Sequence, residues 1–105
     1  MAVILRETTL QVKLQFFGSI RAAAQKDEET LAVANASSLY DLLRTLADTH
    51  GAAFEGEIFW PADRALRDDV TILIDGVVMD HARVKGLKIT NGTVVTLLPS
   101  FPGGG

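Results

Sequence analysis

The sequence predicts an α+β fold, a mixed sheet of four to five strands with one main helix packed across one face. Three observations predict it. Residues 10–16, LQVKLQF, alternate apolar and polar side chains, the period-2 mark of a strand with one buried face. One strongly amphipathic segment begins at Ser38. Two turn dipeptides, Asp75-Gly76 and Asn91-Gly92, border β-branched runs.

In chain order, the first strand directs Val12, Leu14 and Phe16 inward and is punctuated by Gly18, after which SIRAAAQ reads as a short helical turn or loop. A second strand over 29–33, with Leu31 and Val33 on its apolar face, forms a hairpin with the first. Ser38 supplies a hydroxyl N-cap, and Asp41 stands three residues on, where a capping box places its acid. Leu39, Leu42, Leu43, Leu46 and Ala47 then form one stripe at helical spacing. His50 in the last turn suits the negative end of the helix dipole, and Gly51 ends the helix as a left-handed cap.

Residues 52–68 lack a clear period and read as a long loop anchored by Phe54, Phe59 and Trp60, whose aromatic rings seal the bottom of a small core. Asp63, Asp68 and Asp69 with Arg64 and Arg67 read as a solvated charged stretch. VTILI at 70–74 is a central strand, and Asp75-Gly76 turns it into a short strand over 77–79. Asn91-Gly92 precedes a last strand over 93–98, which Pro99 stops. The first and last strands are apolar enough to lie centrally and pair in parallel under the helix, so the tail leaves the sheet from its middle.

Composition bounds function. The chain has 105 residues, 48% of them apolar, enough for one modest core. With 13 acidic against 10 basic residues it carries a net charge of -3 and no basic cluster, which argues against general nucleic-acid or membrane-surface binding. It has no cysteine, hence no thiol nucleophile, thiolate metal ligand or disulfide, which fits a cytoplasmic setting. His50 and His81 are too isolated for a zinc site, so no metal is expected. Without a phosphate-binding glycine loop, any ATP must bind a partner, and no cofactor is expected on the chain itself.

VKLQFFGSIRAAA near the start, SSLYDLLRTLA in the helix, the Asp75-Gly76 turn and NGTVVTLLPSFPGGG at the end together resemble the MoaD/ThiS sulfur-carrier family, including the small subunit of molybdopterin synthase. The likeness spans roughly residues 10–105. It implies a ubiquitin-like β-grasp domain over 1–98, with 1–9 as an N-terminal extension, and a flexible glycine-rich tail over 99–105. It also implies that the working atom is the C-terminal carboxylate of Gly105. An E1-like adenylyltransferase of the MoeB/ThiF type adenylates it, sulfur replaces the adenylate to give a thiocarboxylate, and an acceptor such as the molybdopterin synthase large subunit consumes it. Thiamin thiazole, cysteine or tRNA thiolation would use the same chemistry, and a protein modifier would join Gly105 to lysines of its targets. A β-grasp interaction domain with an inert tail is a further alternative.

The residues suit that role. Gly103 and Gly104 permit close backbone approach while the tail threads into a narrow site, and Pro99 and Pro102 keep its root extended. The chain ends in three glycines where the family usually shows two. Alternation in the last strand places Val95 and Leu97 on the core face and Leu98 on the other, exposed, where with Phe101 it forms a partner-docking patch unless either side chain folds back onto the domain.

Overall fold

The computed structural model describes residues 9–34 and 37–99. Residues 1–8 of the N-terminal extension, Phe101, Pro102 and the glycines at 103–105 lie outside the described residues, whereas its last residue, Thr9, opens the first strand. The elements are β1 (Thr9–Phe16), α1 (Gly18–Ala24), β2 (Glu28–Ala34), α2 (Leu39–His50), α3 (Ala52–Ile58), β3 (Thr71–Ile74), β4 (Val77–Val78), a 3₁₀ turn (His81–Arg83) and β5 (Val94–Leu98). Sheet order is β2-β1-β5-β3-β4. β1 and β5 are the central parallel pair, with Phe16 opposite Leu97, and the remaining pairings are antiparallel.

Each turn dipeptide does what its chemistry allows. Asp75 and Gly76 both adopt positive φ, 50° and 87°, as a primed two-residue hairpin turn requires. The Asp75 carboxylate also accepts a hydrogen bond from the Val94 amide at 2.9 Å, pinning the turn to the start of β5. Asn91 accepts from the Gln11 amide at 2.8 Å, and Gly92, at φ 86°, donates to the Gln11 carbonyl. The last turn is thereby fastened to β1.

On α2 the capping box forms as the sequence implies: Ser38 Oγ accepts from the Asp41 amide, and the Asp41 carboxylate accepts from the Ser38 amide. The five stripe residues are buried, joining Val12, Leu14, Phe16, Ile72, Val95 and Leu97 in one core. Burying each leucine contributes on the order of 1.5–3 kcal/mol, so the stripe, more than helix propensity, holds α2 on the sheet.

Several expectations change. Residues 18–24 form a complete seven-residue helix, which bears out the helical reading over the loop and extends it beyond a single turn. Residues 52–68 are not all loop, since Ala52–Ile58 is α3, its Phe54 and Ile58 buried one helical turn apart. Gly51 is not a left-handed cap. At φ 97° and ψ -176° it adopts a conformation essentially reserved for glycine, and it serves both helices, donating to the Ala47 carbonyl and accepting from the Glu55 amide. The aromatic pair divides: Phe59 is buried, whereas Trp60 is 39% exposed with the Arg67 guanidinium 4.4 Å above its ring.

The charged stretch is organised rather than merely solvated. Arg67 makes a two-pronged contact to the Asp69 carboxylate at 3.0 and 2.8 Å and donates to the Gly56 carbonyl at 2.8 Å. The hydrogen bond from Arg67 holds the Asp69 carboxyl below its ordinary range, and the same bond raises the Arg67 guanidinium above its own.

Candidate functional site: the root of the tail and the open sheet face

β5 lies in the middle of the sheet, so the segment that follows it starts from the best-braced strand. Thr71 of β3 is in register with Leu98 and Phe16 of β1 with Leu97, which fixes β5 on both sides to its last residues. Pro99, the next residue, lies against Gly18 where β1 turns into α1. That turn requires Gly18 to take φ 58°.

Helices cover one face of the sheet, while the other face divides in two. Over β2 and β1 it is polar: Lys13 pairs with Glu28 at 3.4 Å, and Gln15 accepts from the Thr96 hydroxyl at 2.9 Å. Over β5 and β3 it is a shallow groove of about 630 Å³, lined by the apolar side chains of Phe17, Leu73, Val94 and Leu98 with Gln15 and Thr96 at its polar margin. Phe17 is 46% exposed, a large apolar residue turned outward beside the point where the tail begins.

Of the site residues expected from sequence, Leu98 lies in this groove, half-buried rather than exposed because Phe17 and Leu73 flank it. Phe101, Gly103, Gly104 and Gly105 fall outside the described residues. The sequence alone did not single out Phe17 or Gly18 as part of the site, although both stand in the stretch VKLQFFGSIRAAA that carries the resemblance. The signal was present: a second aromatic that breaks the in-out alternation of β1, followed by glycine, marks a residue with no place in the core.

Among the described residues no group of His, Asp and Glu side chains is arranged to hold a metal ion, and no helix is long and apolar enough to cross a membrane.

A five-stranded mixed sheet with a central parallel pair and a helix across one face is the ubiquitin-like β-grasp, and solved structures share it. The SAMP1 protein of Haloferax volcanii is 22% identical, with 90% of this chain and 99% of that one covered at a TM-score of 0.77. Small archaeal modifier protein 1 from Methanosarcina acetivorans is 26% identical, covering 91% and 98% at 0.76. A chain of the complex of subunits 1 and 2 of the molybdopterin-converting factor from Helicobacter pylori is 20% identical, covering 90% and 100% at 0.55. No curated protein matches in sequence. The ThiS family model matches residues 14–104, and the chain belongs to the ThiS family.

Proposed function

We propose that this protein is a sulfur carrier whose C-terminal carboxylate, on Gly105, is adenylated by an E1-like enzyme, converted to a thiocarboxylate and used as a sulfur donor, with molybdopterin synthesis as its pathway. One observation carries the reading: β5, braced on both sides at the centre of the sheet, leads into the glycine tail that the family match reaches at Gly104. A carboxylate is unreactive toward sulfur nucleophiles until its oxygen becomes a good leaving group. Attack of that oxygen on the α-phosphate of ATP releases pyrophosphate and gives an acyl adenylate. A sulfide-level nucleophile then displaces AMP at the carbonyl carbon. Because the chain has no cysteine, its own covalent handle for sulfur is this carbon.

The chain supplies presentation and the partner supplies ATP and catalysis. The groove of Phe17, Leu73, Val94 and Leu98 gives a partner an apolar seat beside the tail's root. The FFG and SIR residues of the resemblance favour the molybdopterin branch, where the acceptor is the large synthase subunit. The Helicobacter pylori complex of subunits 1 and 2 gives a precedent for such an assembly.

A second reading is favoured by the names of two structural neighbours. A modifier in the manner of the small archaeal modifier proteins would pass the same activated carboxylate to an amine instead of accepting sulfur. Deleting Gly104 and Gly105 tests what the two readings share: adenylation or transfer should be lost with the fold intact, and normal function after this deletion would leave only the inert-tail alternative. Deleting Gly105 alone shortens the reach by up to ~3.5 Å. Loss of activity supports use of the encoded end, and full activity means that the third glycine is dispensable or trimmed.

A further inference from the structure

Pro99 and Gly18 meet at a distance that excludes any side chain on Gly18. A Cβ built there would lie 2.6 Å from Pro99 Cγ and 3.3 Å from Pro99 Cδ, and the first separation is one that real Cβ atoms do not show. Resting on the carrier reading above, we infer that Gly18 is a positioning residue for activation of the C-terminal carboxylate. By lacking a Cβ it lets the Pro99 ring lie down on the corner between β1 and α1, and this seat fixes how the chain leaves β5 at Pro99.

Three features make that exit consequential. Pro99 is the first residue beyond the β5 ladder, and its ring fixes φ near -65°, so its seat defines the root of the tail. The six residues that follow span at most about 20 Å, so the position of the root bounds where the terminal carboxylate can reach. Misplacement of a reacting atom by ~1 Å can cost ~100-fold in rate. The seat is also coupled to the groove: Phe17 and Leu98, which line it, are the chain neighbours of Gly18 and Pro99. An enzyme docked on the groove therefore meets the tail root in one fixed relation.

A glycine at φ 58° has a second reason to be glycine, because a side chain there strains the backbone. The two effects separate in a double variant. Pro99→Ala removes Cγ and Cδ and leaves a β-carbon at the site of Pro99 Cβ, 3.9 Å away and in ordinary contact. The backbone strain at residue 18 stays.

The test is ATP–pyrophosphate exchange by the activating enzyme, with kcat and KM for the carrier determined alongside thermal unfolding for Gly18→Ala, Pro99→Ala and the pair. Gly18→Ala should lower kcat about tenfold or more while KM stays within about twofold, because the groove is untouched. Pro99→Ala should lose only about threefold, and the double variant should return to that level with its melting temperature still depressed by the strain. Wild-type kcat for Gly18→Ala, or a double variant no faster than Gly18→Ala, would overturn the inference. If Gly18→Ala does not fold, Gly18→Asn replaces it, since asparagine tolerates positive φ yet carries the same Cβ, and the same two outcomes decide. A wild-type chain that the enzyme fails to adenylate would sink the carrier reading itself, a result distinct from a variant-specific loss.

Discussion

His50 Nε2 lies 2.5 Å from Glu29 Oε1, so the last residue of α2 is tied to the edge strand β2. Both side chains are 13% exposed, and the imidazole is enclosed further by the rings of Phe16 and Phe54. The helix dipole alone is thus not what this histidine answers to. Glu29→Ala leaves a largely buried ring nitrogen without its partner and should cost about 1–3 kcal/mol, while Glu29→Gln, which keeps an acceptor, should cost less. Urea unfolding checks both, and an alanine variant as stable as wild type would show that the pair does not hold α2 to the edge.

Asp69 gives stability a defined acid limb. Its carboxyl is held below its ordinary range by the hydrogen bond from Arg67, so its stabilising contribution is fully present above the unfolded-state value, near pH ~4, and is lost as pH falls through the lower folded value. The stability difference between wild type and Asp69→Asn should therefore be constant from neutral pH down to about pH 5 and shrink below about pH 4. Denaturant unfolding across that range measures it. A difference that does not shrink in acid would contradict the assignment.

Gly51 should resist substitution for a backbone reason alone. Among the described residues nothing lies within 4 Å of a Cβ added there, yet its φ of 97° with ψ of -176° is closed to other residues. Gly51→Ala should cost on the order of 1–3 kcal/mol, read from denaturant unfolding, by straining the joint between α2 and α3. A neutral effect would mean that the joint relaxes without loss.

Phe17 tests the docking groove. Exposed as it is, Phe17→Asp should change stability by no more than about 0.5 kcal/mol. It should weaken binding to the activating enzyme or the acceptor subunit by about tenfold or more, as loss of an aromatic anchor does. Calorimetric titration against either partner gives the number. Unchanged affinity would remove the groove from the interface.

Much of the fold was legible because its signals are local. The alternation of Val12, Leu14 and Phe16, the leucine stripe behind Ser38 and the two turn dipeptides each identify their element without reference to the rest of the chain. Even the central parallel pairing of β1 with β5 followed from how apolar those strands are. α3 was not legible, because seven residues with Gly56 inside give too few turns for a period to show. It stands on tertiary contact instead, the Phe54 ring meeting that of Phe16 edge-on at 5.6 Å. Nor could sequence divide Phe59 from Trp60, neighbours of like chemistry, since the division depends on where Arg67 returns to cover the indole. At the site, Gly18 was readable in the sequence only as punctuation. Its meeting with Pro99, far along the chain, exists only once β1 and β5 end side by side.

The central claim is that the C-terminal carboxyl carbon carries sulfur, and intact-mass measurement after incubation with an E1-like adenylyltransferase, ATP and a sulfur source tests it most directly. The account predicts a mass increase equal to replacement of one oxygen by one sulfur, located by fragmentation to Gly105 and absent without ATP. An unchanged mass in the presence of an enzyme shown to adenylate the chain would contradict it, and covalent adducts on lysines of other proteins would then assign the chain to the modifiers.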